Sequence, residues 1–234
     1  MRKHGSGQVP VPALIRRRPR RDLHQTAMID QSLRQFFDSL AAKTPTPGGG
    51  AAAAVAGCMG TALFTMVVRY SQGKKANVDR EGDLAAAESR LTALAGRLAP
   101  MAERDCAAFD LVSAAYKMPK STPEETSLRD RAIQEAMVGA MVVPEETLCL
   151  TRDVLVAMEG VIACVAKTIA SDLASGAALL LAGAEGAFLN VCINAAFLTD
   201  RELADHTMRR ATTVLDEVRQ RQKSIATTVD GMLA

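Results

Sequence analysis

Residues 44–51 read Thr-Pro-Thr-Pro-Gly-Gly-Gly-Ala, and the arrangement of the surrounding chain depends on them. Proline fixes its own backbone and disfavours a helical conformation at the preceding residue, so Thr44–Pro47 is predicted to be extended. Gly48, Gly49 and Gly50 lack a Cβ, so a backbone or a ligand can approach them closely. The alanine-rich run that follows favours a helix, whose free N–H groups attract anions or polar ligand edges. The stretch predicts either a tight turn with close helix packing or a ligand-binding helix start.

Two familiar nucleotide-binding loops are excluded by the residues around the glycines. No Lys-Ser or Lys-Thr pair follows them, as a phosphate-binding P-loop requires. No strand pattern precedes them, as the dinucleotide-binding fingerprint requires.

The composition indicates a globular helical protein. The chain has 234 residues, enough for one large domain or two small ones. Aromatic residues make up only 3% while hydrophobic residues make up 48%, so the core must be built mainly from small and aliphatic side chains. Such cores are typical of closely packed helices.

The charge is divided unevenly along the chain. Residues 1–27 contain seven Arg or Lys and one acid, whereas the remainder contains 21 basic and 25 acidic residues. The part beginning at Met28 therefore offers no general surface for nucleic acid. Residues 1–27 are predicted to be a disordered basic extension without a secretory signal, and its removal is expected to leave thermal stability unchanged. Residues 28–234 are predicted to form one domain.

The cysteines and histidines argue against a disulfide framework and a metal site. The five cysteines are odd in number and form no Cys-x-x-Cys pair, which favours small buried side chains in a reducing, cytoplasmic compartment. Two of the three histidines fall within residues 1–27, so no histidine-based metal site is expected.

The hydrophobic periodicity predicts an all-α, single-domain bundle of six or seven helices. Two uncharged helices, 51–71 and 173–198, are expected at its centre. The first is mostly Ala, Gly, Thr and Cys, so we interpret it as a buried helix and not as a membrane span.

Capping residues and prolines predict the ends of the other helices. Asp30, Ser171-Asp172 and two capping boxes, Thr122–Glu125 and Thr199–Glu202, are expected to open helices. Pro100 is expected to kink a long helix that starts near Asp79. Pro144 is expected to end or bend another, followed by a helix over residues 145–167.

Two aspartates are candidate catalytic groups. Asp105 lies on the apolar stripe of its helix, three residues after Ala102 and four before Phe109. A carboxylate facing a core is costly unless it is paired or functional, so Asp105 is either a buried ion-pair member or a working carboxylate. Asp172 is either a helix cap or part of a site.

Amides and lysines are candidate binding groups. Asn190 and Asn194 lie four residues apart on an otherwise apolar stretch, where they either tie helices together or bind the amide edge of a heterocycle. Lys74, Lys75 and Lys120 flank helix ends. They are either solvated or hold a carboxylate tail near an opening.

With these residues in order, the chain resembles the cyclodeaminase/cyclohydrolase family over about residues 33–234. The family includes the cyclodeaminase half of formiminotransferase-cyclodeaminase and the bacterial methenyltetrahydrofolate cyclohydrolase. The resemblance rests on six segments, which are 36–38 with 44–50, 73–75, 105–109, 118–125, 171–172 and 186–194.

The resemblance implies a helical dimer with a folate site near the dimer interface. It implies that Asp105 is the acid/base group, with Asp172 as the second catalytic candidate, and that Lys74 and Lys75 meet the glutamate tail. The expected substrate-binding set is Thr46, Pro47, Gly48, Gly49, Gly50, Lys74, Lys75, Lys120, Asn190 and Asn194. The chain departs from the family at Asn77, usually aromatic, at Ala107, usually acidic, and at 164–167, usually a polar Gly-Asn loop.

The resemblance implies hydrolysis of 5,10-methenyltetrahydrofolate to 10-formyltetrahydrofolate, with a tetrahydrofolate derivative as substrate and no permanently bound cofactor or metal. A cytoplasmic homodimer without nucleic-acid or membrane partners is expected. The alternatives are a formiminotetrahydrofolate cyclodeaminase, a relative acting on another amidine or one-carbon substrate, and a non-catalytic dimer that binds a folate-like ligand or a protein.

Overall fold

The computed structural model describes residues 28–234, and the expected basic extension over residues 1–27 lies outside the described residues. Seven α-helices follow one another: α1 (Leu33–Leu40), α2 (Gly49–Ser71), α3 (Glu81–Leu98), α4 (Met101–Tyr116), α5 (Pro123–Glu159), α6 (Ala170–Ala196) and α7 (Arg201–Leu233). Short 3₁₀ turns occur at Met28–Asp30, Lys75–Arg80, Ile162–Cys164 and Lys167–Ile169. Since residues 28–234 contain no β-strand, the predicted all-α bundle is confirmed.

The centre of the bundle is the antiparallel pair α2 and α6, which make the most extensive contact between elements. Glycines allow the two backbones to approach closely. A Cβ at Gly60 would lie 2.7 Å from Cγ of Leu180, and a Cβ at Gly183 would lie 2.8 Å from the carbonyl oxygen of Ala53. The two predicted central helices are therefore the ones found there.

The description of residues 51–71 and 173–198 as uncharged is wrong, because α2 contains Arg69 in its last turn and α6 contains Glu185. The Glu185 side chain lies at the edge of the pair and accepts a hydrogen bond from Arg219 of α7 at 3.0 Å. The carboxylate is thus paired near solvent, and the apolar centre is preserved.

Four of the remaining helices cover one side of the central pair. Helices α3, α4 and α5 pack against α2, and α5 and α7 pack against α6. Within residues 28–234 the opposite side stays uncovered, and we call it the α2–α6 face. It is formed by uncharged side chains at helical spacing, namely Ala52, Val55, Met59, Ala62 and Met66 of α2 and Ser175, Ala178, Ala182, Leu189 and Ile193 of α6.

By length and composition, Gly49–Ser71 and Lys167–Ala196 pass a test for helices that can cross a membrane. The core helix of a globular protein passes the same test. Half of the residues in an apolar 18-residue stretch of α2 are buried inside the bundle. This burial agrees with the interpretation of α2 as a core helix.

Helix α5 runs through Pro144, so the predicted helix end there and the separate helix over 145–167 are wrong. Proline lacks the N–H that would bond to the carbonyl of the residue four positions earlier, Ala140. The side-chain amide of Asn194 in α6 donates to that Ala140 oxygen at 2.8 Å. A distant residue therefore satisfies the carbonyl that Pro144 leaves free, and the helix continues to Glu159.

Several predicted helix ends shift. Ser32, with Gln35, caps α1 in place of Asp30. Pro100 separates α3 from α4 and does not merely kink one helix. The Thr122–Glu125 capping box is present.

At the last two helices the predicted caps are wrong. Asp200 caps α7 through the N–H of Leu203, while Thr199 bonds to Gln134 of α5. Helix α6 begins at Ala170 without a side-chain cap, so Asp172 lies in its first turn and does not cap it.

Candidate active site

A cavity of about 300 Å³ opens at the end of the bundle where α2 begins. Four helices and two loops supply its walls. The lining residues are Pro45, Thr46, Gly48, Gly49, Gly50, Asp105, Phe109, Val112, Met137, Ala140, Asn190, Ile193, Asn194 and Phe197. The cavity unites the glycine segment, Asp105 and both asparagines, which are far apart in sequence.

The glycine segment forms the start of α2. Gly48 is the N-cap in an extended conformation, and Gly49 and Gly50 belong to the first turn of the helix, which was expected to begin at Ala51. Gly48 has no side chain with which to cap this helix start, and the carboxylate of Asp105 accepts from the backbone N–H of Ala51. The positive end of the helix dipole therefore lies at the cavity that Gly48, Gly49 and Gly50 line.

Asp105 of α4 occupies the space that the missing side chain of Gly50 leaves. A Cβ built on Gly50 would lie 2.1 Å from Oδ1 and 2.5 Å from Cγ of Asp105, far inside any permitted contact. At Gly49 the nearest atom, Nδ2 of Asn190, would lie at 3.4 Å. Of these two glycines, therefore, only Gly50 must lack a side chain for Asp105 to occupy its position.

The carboxylate of Asp105 is partly buried and is not part of an ion pair with any residue between 28 and 234. The neighbouring Arg104 instead pairs with Glu146 at 2.8 Å. Burial raises the pKa of Asp105, and the backbone N–H of Ala51 opposes this in part by favouring the ionised form. The ion-pair interpretation is therefore not supported, and a desolvated carboxylate in a cavity is a candidate acid or base.

Both asparagines use their amide N–H groups for backbone contacts. Nδ2 of Asn190 donates to the carbonyl of Gly186 at 2.9 Å, and Nδ2 of Asn194 donates to Ala140. This leaves Oδ1 of each side chain without a hydrogen bond from residues 28–234. Asn194 does tie two helices together, and the two oxygens remain available as acceptors in the cavity.

Apolar residues complete the walls, and we did not predict them as site residues. Phe109 and Val112 follow Asp105 by four and seven positions on α4, and Ile193 lies between the two asparagines on α6. Helical spacing from Asp105 could have identified the first two. Phe197 lies beyond the end of α6, and no sequence pattern marks it.

Five predicted site residues do not line this cavity. Pro47 lies in the loop before it. Lys74 and Lys75 follow the other end of α2, about 35 Å away for a helix of this length. Asp172 lies about 27 Å along α6 from Asn190 by the same rise per residue. Because α2 and α6 are antiparallel, Asp172 and the lysines share the opposite end of the bundle.

Lys120 lies at the cavity end of the bundle but lines a different, larger cavity of about 1130 Å³ at the start of α5. The predicted grouping of Lys120 with Lys74 and Lys75 near one opening is therefore not found within a single chain. Among residues 28–234, no three His, Cys, Asp or Glu side chains are arranged to hold a metal ion.

Comparison with known proteins assigns this chain to a family. A family model described as Formiminotransferase-cyclodeaminase matches residues 32–213. The chain belongs to the formiminotransferase-cyclodeaminase family.

Relatives within the family differ in how much of their length this member matches. It is 36% identical over 200 residues to a methenyltetrahydrofolate cyclohydrolase of Methylorubrum extorquens, covering 86% of this chain and 96% of that protein. It is 30% identical over 195 residues to the rat formimidoyltransferase-cyclodeaminase, but covers only 36% of that protein.

A solved structure supports the same family. The crystal structure of a formiminotetrahydrofolate cyclodeaminase from Thermotoga maritima superimposes with a TM-score of 0.71 at 28% sequence identity. The match covers 87% of this chain and 96% of that one.

The departures from the usual family pattern lie outside the cavity. The buried Asn77 donates through Nδ2 to the carbonyls of Ser71 at 2.8 Å and Cys164 at 2.9 Å. It therefore joins the end of α2 to the 164–167 segment, which is another of the three departures. Ala107 is exposed on α4. The walls around Asp105 carry none of these substitutions.

Proposed function

We propose that this protein is a folate-dependent one-carbon enzyme that hydrolyses 5,10-methenyltetrahydrofolate to 10-formyltetrahydrofolate. The observation that carries the proposal is the carboxylate of Asp105, which forms no ion pair within residues 28–234 and lies beside the start of α2, inside a cavity lined by amides and apolar side chains. The similarity to the Methylorubrum cyclohydrolase over nearly the full length of both chains supports it.

In the proposed reaction Asp105 acts as the general base. It takes a proton from a water molecule whose oxygen bonds to the cationic methenyl carbon between N5 and N10. The carbon–N5 bond then breaks, N5 receives a proton, and one proton is released to solvent. A substrate cation next to Asp105 favours the ionised carboxylate, which offsets the effect of burial on its pKa.

The cavity residues supply the binding groups of the proposal. Thr46 and the Gly48–Gly50 backbone contact one edge of the substrate's fused ring system. The free Oδ1 atoms of Asn190 and Asn194 accept hydrogen bonds from the N–H groups of these rings. Pro47 acts indirectly, by fixing the loop that leads to Gly48. Phe109 and Phe197 exclude water from the flat faces of the rings.

Formiminotetrahydrofolate cyclodeaminase is the second candidate, favoured by the similarity to the Thermotoga enzyme. In that reaction the formimino carbon closes onto the second nitrogen and ammonia leaves, so the same carboxylate can move the protons. A non-catalytic dimer is less well supported, because within one chain none of the departures at Asn77, Ala107 and 164–167 lines the cavity that contains Asp105.

A homodimer through the α2–α6 face is part of the proposal. Leu189 and Ile193 are 65% and 54% exposed there, and an uncharged stripe on two long helices is better matched by a second copy of itself than by a charged partner. We place the two-fold axis in the interface, perpendicular to α2 and α6 at their middle, so that the helices of the partner run in the opposite direction. The end that carries Lys74, Lys75 and Asp172 in one copy then lies beside the cavity of the other.

In this dimer the lysines of one copy meet the distal glutamates of substrate bound to the other, and Asp172 is available as the second catalytic carboxylate. The proposed chemistry uses protein carboxylates and needs no permanently bound cofactor. A cytoplasmic protein without membrane or nucleic-acid partners fits this proposal.

The deciding experiment is an assay of the purified chain with methenyltetrahydrofolate and with formiminotetrahydrofolate, each corrected for its spontaneous rate. Faster turnover of the methenyl substrate supports the cyclohydrolase, and faster ammonia release from the formimino substrate supports the cyclodeaminase. Binding without turnover of either would support the non-catalytic alternative.

A further inference from the structure

A second cavity adjoins the candidate active site at the start of α5. It has a volume of about 1130 Å³ and is walled by Lys120, Thr126, Arg131, Gln134 and Thr199, among others. The two cavities share no lining residue, but they are neighbours. Gln134 lies one helical turn before Met137 of the first cavity, and Thr199 lies two residues after its Phe197.

Hydrogen bonds hold the boundary between the two cavities in place. Nε2 of Gln134 donates to the carbonyl of Phe197 at 3.2 Å, and Oε1 of Gln134 accepts from the N–H of Thr199 at 2.8 Å. The loop between α6 and α7 is thereby tied to α5. A ligand too long for the first cavity would leave it along this fixed edge.

The loop carrying Lys120 is also fixed. Glu125 accepts from the N–H of Ser121 at 2.8 Å, and the hydroxyl of Thr126 donates to the Lys120 carbonyl at 3.4 Å. The backbone that presents the lysine at the groove is therefore ordered by the first turn of α5.

Two cations in the groove are free to bind a ligand. Within residues 28–234 neither Lys120 nor Arg131 forms an ion pair. The groove also carries two acids, Asp130, which lies 3.7 Å from Arg129, and Glu135, which forms no ion pair within residues 28–234. The free lysine and the guanidinium fork suit carboxylates, and the surrounding hydroxyls suit an amide.

The sizes of the two cavities match the two parts of a long ligand. A volume of about 300 Å³ is at the lower end for a ligand site, so it suits a ring system without its substituents. The adjoining groove is several times larger and is lined by charged and hydroxyl side chains as well as apolar surface. We propose that this groove binds the aminobenzoyl-glutamate portion of the substrate, with Lys120 and Arg131 holding the first glutamate's carboxylates. This inference rests on the proposed folate chemistry of the neighbouring cavity.

The first test compares methenyltetrahydrofolate with methenyltetrahydropteroate, which lacks the glutamate. In the wild-type protein the pteroate should have the higher KM. In Arg131→Ala and Lys120→Ala the ratio of the two KM values should fall toward one, by about tenfold for loss of a charge-assisted contact. Lys117→Ala removes an exposed charge from the same loop outside the groove, and should keep the wild-type ratio. An unchanged ratio in both groove variants would overturn the assignment.

The second test does not depend on turnover. Binding of p-aminobenzoyl-glutamate and of p-aminobenzoate is measured by calorimetry with the wild-type protein, Arg131→Ala and Lys117→Ala. We expect the wild-type and Lys117→Ala proteins to bind the glutamate compound more tightly, and Arg131→Ala to lose this preference. If the wild-type protein has no preference, the groove is not a glutamate subsite even if hydrolysis is observed. A preference in a protein without hydrolysis would retain the subsite and reject the reaction.

Discussion

The carboxylate of Asp105 fills the space where a side chain at Gly50 would stand, with Oδ1 only 2.1 Å from the Cβ that any other residue would carry. The third glycine of the segment and the aspartate therefore depend on each other. Gly50 allows the carboxylate to approach the start of α2, and the helix start places N–H groups beside the carboxylate.

Gly50→Ala should displace Asp105 and lower hydrolysis by about a hundredfold, the scale expected when a reacting group moves by about an ångström. Gly49→Ala is the matched control, because its Cβ would meet Asn190 at an ordinary distance of 3.4 Å. Turnover by both variants, with folding checked by circular dichroism, tests the relationship. Wild-type activity in folded Gly50→Ala would show that the contact does not matter.

Asn194→Ala should destabilise the protein by about 1–3 kcal/mol, because it leaves the buried carbonyl of Ala140 without a donor. The double variant Asn194→Ala, Pro144→Ala should recover much of this loss, since alanine at 144 restores the helical N–H donor. Chemical denaturation of the wild-type protein, the two single variants and the double variant measures the coupling. Additive losses would argue that Asn194 does not compensate for Pro144.

Lys74→Ala combined with Lys75→Ala should weaken binding chiefly of polyglutamylated substrate. Contacts between exposed charges are screened, so the effect should shrink as salt is raised. KM values for monoglutamyl and polyglutamyl substrates at two ionic strengths provide the measurement. An equal loss for both substrates at every salt concentration would contradict this role.

Met59→Glu should dissociate the proposed dimer. Met59 lies near the middle of the apolar stripe of α2, where the two-fold axis brings it close to Met59 of the partner. The variant would therefore bury two like charges next to each other in the interface, which is costly. Leu111→Glu changes a comparably exposed apolar residue of α4, outside the α2–α6 face, and should remain dimeric. Sedimentation velocity distinguishes the two. A wild-type monomer, or a Met59→Glu dimer, would reject this interface.

Sequence reasoning succeeded where the signal was local and chemically unusual. Asp105 stood out because a charge interrupts an apolar stripe, and the glycines stood out because three in succession precede a helix. Both lie in the cavity, and Asn190 and Asn194 join them there.

The errors came from relationships between distant parts of the chain. Pro144 does not end α5 because Asn194, fifty residues later, supplies the missing hydrogen bond. Asp172 and the adjacent lysines Lys74 and Lys75 were correctly predicted to lie near helix ends. Sequence does not reveal which end of an antiparallel pair carries the cavity, and these residues lie at the other end.

The stability of Asp105→Asn should depend on pH in a defined direction. Burial raises the pKa of Asp105 in the folded protein above its unfolded value, so the ionised form costs folding free energy above the folded pKa. The amide removes this cost. The variant should therefore melt at the same or a higher temperature near pH 8, and the difference should disappear as pH falls toward about 4, where the unfolded carboxyl is protonated.

The most direct test of the central claim is the rate of methenyltetrahydrofolate hydrolysis by folded Asp105→Asn protein, measured on the preparation used for thermal unfolding. If Asp105 is the general base, turnover falls by about a hundredfold or more while the melting temperature is maintained. Near-normal hydrolysis in the folded variant would remove Asp105 from the mechanism and make Asp172 the leading candidate.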